Sequence, residues 1–369
     1  MTMSNSLRKI YVNGRFLRGS ITGTSRVAEE VLTCWDKAVQ SGDPRFSGYA
    51  IEVLCPTDSI RSLDLEGIKL RKRDLFGGRL WEMIDLGLLA WDGTLINFAN
   101  IAPLVHKRSI TYLHDAQVFL FPESYPRNER LIHQKLAKLA GRMARQVITV
   151  SQFSNEMLQR FRIARASKIA VVHNGAEHLL RTPPDYSVLE SFGLVPHGYV
   201  LMLGSSFAYK NTEVIYEAFS RMERPRPKLA VVARADLRKT LKIAADLGDD
   251  FVTLSGISDG QLRALYENAL VFVQPAKTEG FAMTQLEALN AGSPVITTPY
   301  GSMREVLGDD VVYVDSDSPV AWRDAILRFR DEPGRRASKL ALGQAMAAKY
   351  TWQRTSDALW QKITEVAAS

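Results

Sequence analysis

Short β-branched runs alternate with helical patterns along almost the whole chain, and this rhythm restricts the fold most. In the first half the runs are "KIYVN", "AIEVLC", "IKLRK", "TLINFA", "SITYLHD", "QVITVS" and "IAVVHNG". Between them lie helical patterns such as 25–38 and 127–144. The second half repeats the plan with "YVLMLG", "KLAVVA", "FVTLSG", "LVFVQP", "SPVITT" and "VVYVD", separated by helices at 212–221, 259–268 and 283–291. Such alternation predicts parallel sheets covered by helices on both faces. The stretch 177–198 breaks the rhythm with Pro183, Pro184 and Pro196. The reading is α/β, with two doubly wound Rossmann-like domains: 1–180, a linker at 181–198, and 199–350. A terminal helix, 351–369, is free to pack back on the first domain. Ligands of such sheets bind beyond the carboxyl ends of the strands, so two facing domains would share one cleft.

Composition removes several classes. No apolar run reaches the roughly 18–20 residues of a membrane span, and "LWEMIDLGLLAW" is interrupted by Glu82 and Asp85. The N-terminal "MTMSNSLRKIYV" lacks a signal-peptide core. Cys34 and Cys55 form neither a metal-ligand spacing nor a disulfide framework, which fits a reducing cytoplasm. The net charge of +7 is uneven: residues 1–180 carry 25 basic and 17 acidic side chains, the remainder 22 and 23. A basic first half suits a phosphorylated ligand, an anionic membrane or nucleic acid. No nucleic-acid motif accompanies it, so no nucleic-acid partner is expected.

Nucleophile elbows, Walker loops and zinc signatures are absent. "NGRFLRGSITGTSR" (13–26) follows the first strand and opens a helix, where Gly19, Gly23 and Arg26 would suit an anion or form an ordinary capped turn. His114 and Asp115 follow the strand of "TYLHDAQ", on the ligand side of a parallel sheet. His133, His178 and His197 have weaker contexts. Lys210 and Asn211 stand where the helix after "LMLGSS" begins, and a lysine there can neutralise phosphate as a point charge.

The most informative stretch is "TEGFAMTQLEALNAGSPVITT" (278–298). Glu279 falls at the end of a strand and Glu287 inside the following helix. Eight helical residues bound their axial offset at about 12 Å. Carboxylates so placed can each take a vicinal pair of hydroxyls, with helix-end amides between them for a diphosphate. A nucleotide sugar has this length. The bland alternative is an acid that complements the helix dipole.

"EGFAMTQLE" resembles the E-x7-E signature of the GT4-type retaining glycosyltransferases of the GT-B fold, in their bacterial polysaccharide and lipopolysaccharide branch. "RGSITGTSR", "LHD", "VSQFS", "VVHNG", "YKN", the long block 254–283 and "YTWQRTSDAL" resemble that family in the same order. The resemblance implies that Glu279 holds donor-sugar hydroxyls and Glu287 the ribose. Gly280, Phe281, Ala282 and Met283 would bring backbone amides to the sugar and diphosphate, and Lys210 and Asn211 would lie at the diphosphate. Gly23 and Thr24 would approach the phosphates from the other domain. His114, with Asp115, would sit near the sugar and reaction centre, and Ile257 and Leu262 would border the base. Two positions depart from the pattern: Ser205 and Ser206 stand where an arginine is usual, and Ala282 replaces a glycine.

The expectation is a metal-independent, cofactor-free hexosyltransferase. It would move a mannose- or glucose-type sugar from GDP- or UDP-hexose to a lipid-linked glycan, at the cytoplasmic face of the cell membrane. A catalytically silent glycan-binding scaffold is the alternative. Within 127–146, Arg127, Lys135, Lys138, Arg142 and Arg145 share a basic stripe beside Ile132, Leu136, Leu139 and Met143. The apolar stripe is expected in the core, with the basic stripe adsorbing to an anionic leaflet.

Overall fold

The computed structural model describes residues 7–76, 78–98, 103, 106–233, 237, 247–332 and 334–368. The chain divides into two units. One comprises 1–120, 126–175 and 352–369; the other comprises 121–125 and 176–351.

In the first unit seven parallel strands lie in the order β3-β2-β1-β4-β5-β6-β7. They are β1 Arg8–Asn13, β2 Tyr49–Cys55, β3 Lys69–Lys72, β4 Thr94–Asn97, β5 Ser109–Tyr112, β6 Gln146–Thr149 and β7 Ile169–Val171. β4 and β5 are buried throughout, as strands covered on both faces must be. The terminal helix Trp352–Ala368 belongs to this unit. Trp360 stacks on Phe46 at 4.0 Å and meets Trp35 and Tyr49 edge-on. The Trp35 indole N–H donates to the Ser356 carbonyl at 3.2 Å. Rings of this size dominate burial and fix orientation through their polar edge.

The second unit has six parallel strands in the order β10-β9-β8-β11-β12-β13. They are β8 Tyr199–Leu203, β9 Lys228–Val232, β10 Phe251–Leu254, β11 Val271–Gln274, β12 Val295–Thr297 and β13 Val312–Tyr313. In sequence order this is 3-2-1-4-5-6, the dinucleotide-fold arrangement. The stretch expected as a linker is folded into this unit. It contains a helix, Ser187–Ser191, and buries Val188, Leu189 and Leu194 in the core. The divisions fall at 175/176 and 351/352, and 121–125 also joins the second unit, where Phe121 and Tyr125 lie against Tyr209 and Phe207.

The helix Arg127–Met143 corrects one expectation. Its apolar stripe does not lie in the core: Ile132 is 55% exposed, Leu139 36% and Met143 37%, with only Leu136 partly covered. The helix seats instead through small residues, Ala140 and Gly141, against the cluster of Leu113, Leu158 and Ile163. A side chain at Gly141 would meet the Ile163 carbonyl oxygen at 2.2 Å, so this approach requires glycine.

Candidate active site

In the second unit the chain leaves β8 and β11 toward opposite sides of the sheet, which opens a crevice beyond their carboxyl ends. The loop after β8 begins at Gly204, where a Cβ would meet Leu237 and Val231 side chains at 2.5 and 2.6 Å. Thr212 clamps this loop, accepting from the Ser205 N–H and donating to the Ser205 carbonyl. Asn211 follows in the left-handed region (φ 51°), which its short amide side chain tolerates, and that amide donates to the Ser316 carbonyl. Lys210 is thereby directed across the crevice, where its Nζ lies 2.5 Å from Glu279 Oε1. Two residues 69 positions apart, each expected at a different part of the donor, are direct partners.

The loop after β11 is held from below. The Thr298 hydroxyl donates to the Ala276 carbonyl at 2.5 Å, and the Ser302 N–H to the Glu279 carbonyl at 3.1 Å. Between those anchors Gly301, at φ +68°, passes so close that a Cβ would lie 2.7 Å from the Glu279 oxygen and 2.8 Å from its nitrogen. Gly280 and Ala282 are buried, and Ala282 precedes the helix Met283–Asn290 without a side-chain cap. The Met283 N–H donates to the Phe281 carbonyl at 2.9 Å, so this amide is engaged within the turn. Phe281 packs edge-on against Tyr350. Ile257, Leu262 and Phe281 all lie half-buried against the unit's core beside Leu203 and Val232, giving an apolar wall on this side of the sheet.

Glu287 is buried within its helix, 3.5 Å from His178 Nε2. Burial, reinforced by the Glu287 charge, pushes the nearby Tyr266 phenol well above its usual range. His178 looked unpromising in the sequence because it borders a proline-rich segment. Only the folding of that segment onto the second unit brings it to Glu287.

In the first unit the topological break lies between β1 and β4. The glycine-rich loop ends in a capping box in which Thr22 and Ser25 serve each other's backbone, opening the helix Gly23–Gln40. Gly23 and Thr24 are therefore in its first turn. A Cβ at Gly23 would meet nothing within 4 Å, so packing does not demand glycine there. A cavity of about 260 Å³ adjoins this turn, lined by Asn13, Arg15, Phe16, Thr24, Glu82 and Phe98 among others. Arg15 Nε pairs with Glu82 at 2.9 Å, and the Asn13 amide donates to Glu82 and to Asn97, both at 3.2 Å. Burial raises the Glu82 carboxyl pKa against the pull of Arg15. The signal for this group in the sequence is an acid inside an apolar stretch.

His114 is buried beyond β5. Its Nε2–H donates to the Phe98 carbonyl at 2.9 Å, its ring stacks on Tyr112, and burial holds its pKa below the usual histidine value. Through Phe98 it lies one residue contact away from the cavity. Asp115 accepts from the Gln117 N–H and starts the next turn.

Residues 190–342, which contain Lys210, Glu279 and Glu287, match the family described as glycosyl transferases group 1. Over that segment the chain is similar to this glycosyltransferase family. The chain is similar to O-antigen chain mannosyltransferase B of Escherichia coli, with 26% identity over 67% of this chain and 68% of that one. It is 25% identical to an O-antigen chain mannosyltransferase of Salmonella typhimurium over 63% of each. Among solved structures it resembles a sucrose-phosphate synthase of Thermosynechococcus elongatus (TM-score 0.75, 16% identity, 98% of this chain and 100% of that one). It also resembles Anabaena HepE in complex with UDP and glucose (TM-score 0.74, 15% identity, 97% and 100%). The likenesses to structures establish the fold, the two-domain GT-B architecture.

Proposed function

We propose that the protein is a glycosyltransferase, a retaining, metal-independent hexosyltransferase whose donor, a nucleotide diphosphate sugar, lies in the crevice beyond β8 and β11. The observation that carries the reading is the Lys210–Glu279 pair at the switch point, with the second carboxylate, Glu287, farther along the helix that follows. Glu279 would take sugar hydroxyls, Lys210 and Asn211 the diphosphate, Glu287 the ribose, and Ile257 and Leu262 the base. The bond between the anomeric carbon and the diphosphate oxygen breaks while the acceptor hydroxyl attacks from the same face. The acceptor proton leaves with the phosphate or to solvent. Positioning and charge stabilisation supply the rate. Gly23 and Thr24, in the first turn of their helix, are the first unit's candidates for phosphate contact, and His114 is its candidate for contact with the sugar. The names of the mannosyltransferase relatives favour mannose as the sugar.

The acceptor in this reading is a lipid-linked glycan of cell-surface polysaccharide synthesis, reached from the cytoplasmic side. Among the described residues no helix is long and apolar enough to cross a membrane. The helix Arg127–Met143 instead offers exposed Ile132, Leu139 and Met143 beside exposed Lys135 and Arg142. That face suits shallow insertion at an anionic surface, beyond adsorption alone.

Thermal shifts with UDP, GDP, ADP and TDP test the donor reading, since a bound nucleotide raises stability by mass action. A shift with one base, followed by sugar transfer from the matching donor, is the expected result. No shift with any nucleotide would overturn it, and a shift without turnover would indicate the silent scaffold. Co-sedimentation with anionic and neutral vesicles tests the docking face. Wild-type binding should be anion-dependent and weaker in Ile132→Ser/Leu139→Ser, and equal binding to both vesicles would refute it.

A further inference from the structure

A second cavity in the first unit lies away from the site described above. It sits near the amino ends of β6 and β7, whereas His114 and the glycine-rich loop follow the carboxyl ends of β5 and β1. Its volume is about 730 Å³. Arg142, Arg162, Arg165 and Lys168 line it together with Gln159, and no acidic residue does.

Part of this charge has a structural duty. Lys168 Nζ donates to the carbonyls of Arg142 and Ala144 at 2.9 Å each, closing the end of the helix Arg127–Met143. The three arginines are not accounted for in this way. All three are exposed, and among the described residues none is ion-paired. Their convergence is built into the backbone. Gly141 lets the helix approach Ile163, which sets Arg142 beside the turn carrying the other two. Arg162 occupies the left-handed region (φ 54°) just after the helix Gln152–Arg160. Its N–H bonds the Gln159 carbonyl, and the Ile163 N–H bonds that of Leu158. Glycine is the favoured residue at such a helix end. An arginine held there presents charge where a cheaper backbone was available, and such outliers cluster at functional sites.

We infer that this cavity binds a phosphate group carrying at least two negative charges, as a phosphomonoester or diphosphate. Guanidinium forks match phosphate oxygens in pairs, and three of them around one space without a competing carboxylate favour a multiply charged anion over a carboxylate. The volume exceeds one phosphate and lies within the range of about 300–1,000 Å³ usual for small-molecule sites. The ligand therefore carries a larger body. That body is the remainder of an anionic lipid, whose chains would lie by the exposed Leu139 and Met143, or a soluble phosphorylated molecule. The inference is independent of the donor site in the second unit.

The test compares the wild-type chain with Arg162→Gly/Arg165→Ser. Titration with inorganic pyrophosphate and co-sedimentation with phosphatidic acid vesicles at constant salt are the two arms. Binding in at least one arm, weakened tenfold or more in the variant, is expected. Vesicle binding alone assigns the lipid source, and pyrophosphate binding alone or in both arms assigns the phosphate group itself. Arg162→Gly alone should keep or raise Tm, and the nucleotide-induced shift of the double variant should match wild type, which separates lost binding from lost fold. No binding in either arm overturns the inference. So does undiminished binding in the variant, or equal binding to single-stranded RNA that the variant also loses.

Discussion

Gly301→Ala tests whether the position of Glu279 is set by the backbone that crosses it. The new methyl meets three atoms within 2.8 Å, the Thr278 hydroxyl oxygen and the Glu279 carbonyl oxygen and nitrogen. Two are backbone, so the overlap cannot be relieved by a side-chain rotation. Holding an L-residue in the left-handed region costs about 1–2 kcal/mol. Forcing extra volume into packed structure costs about 1–3 kcal/mol more. The expected loss is about 2–5 kcal/mol, which lowers Tm by roughly 5–15 °C for a domain of this size. Gly256→Ala is the control, because Gly256 shares φ +68° and a Cβ there would meet nothing within 4 Å. It should lose only the left-handed term, about 1–2 kcal/mol. Thermal melts with and without nucleotide report stability, and donor turnover reports the displacement of Glu279. Because the Ser302 N–H holds the Glu279 carbonyl, relief of the overlap must move the carboxylate's own backbone. Turnover should therefore fall in Gly301→Ala even well below its Tm. Equal Tm losses in the two variants, or full turnover in Gly301→Ala, would refute the reasoning.

Lys210→Met and Glu279→Gln should each reduce kcat/KM by about 10- to 150-fold, the worth of a charged hydrogen bond of about 1.5–3 kcal/mol. The double variant should lose less than the sum, because the two groups are in direct contact; losses that add within about 0.5 kcal/mol would show independent action. Glu287→Ala should raise the donor KM more than it lowers kcat, since its carboxylate is assigned to the ribose, away from the reacting bond. A pure kcat effect in steady-state kinetics would contradict that assignment. Burial lowers the pKa of His106, His114 and His197 in the folded protein. The unfolded chain takes up these protons near pH ~6.5 and the folded chain does not, so stability falls as pH drops through that value and below. Melts between about pH 7.5 and 5.5 should show the decline, and His114→Gln, which can still donate to the Phe98 carbonyl, should flatten part of it; an unchanged slope would mean His114 does not contribute.

Much of the architecture was legible in one dimension. Strand and helix periods are local properties, set by which residues face a covered sheet, and they were enough to indicate two doubly wound units and to put Glu279 in the turn between a strand and a helix and Glu287 in that helix, although the strand ends earlier than expected, at Gln274. The same local logic could not say which arc of a helix meets the sheet. The helix Arg127–Met143 has an apolar stripe, yet it packs through Ala140 and Gly141, because close approach to Ile163 depends on small size and not on hydropathy. Nor could it pair residues far apart in the chain. Lys210 with Glu279, His178 with Glu287, Gly301 over the Glu279 backbone, and Trp360 on Phe46 all depend on strand order and on segments returning from a distance. The sequence by itself determined the repeating units and the kinds of groups at their ends. The tertiary structure decided which of those groups touch, because contact depends on how layers stack, and periodicity along the chain carries no record of that.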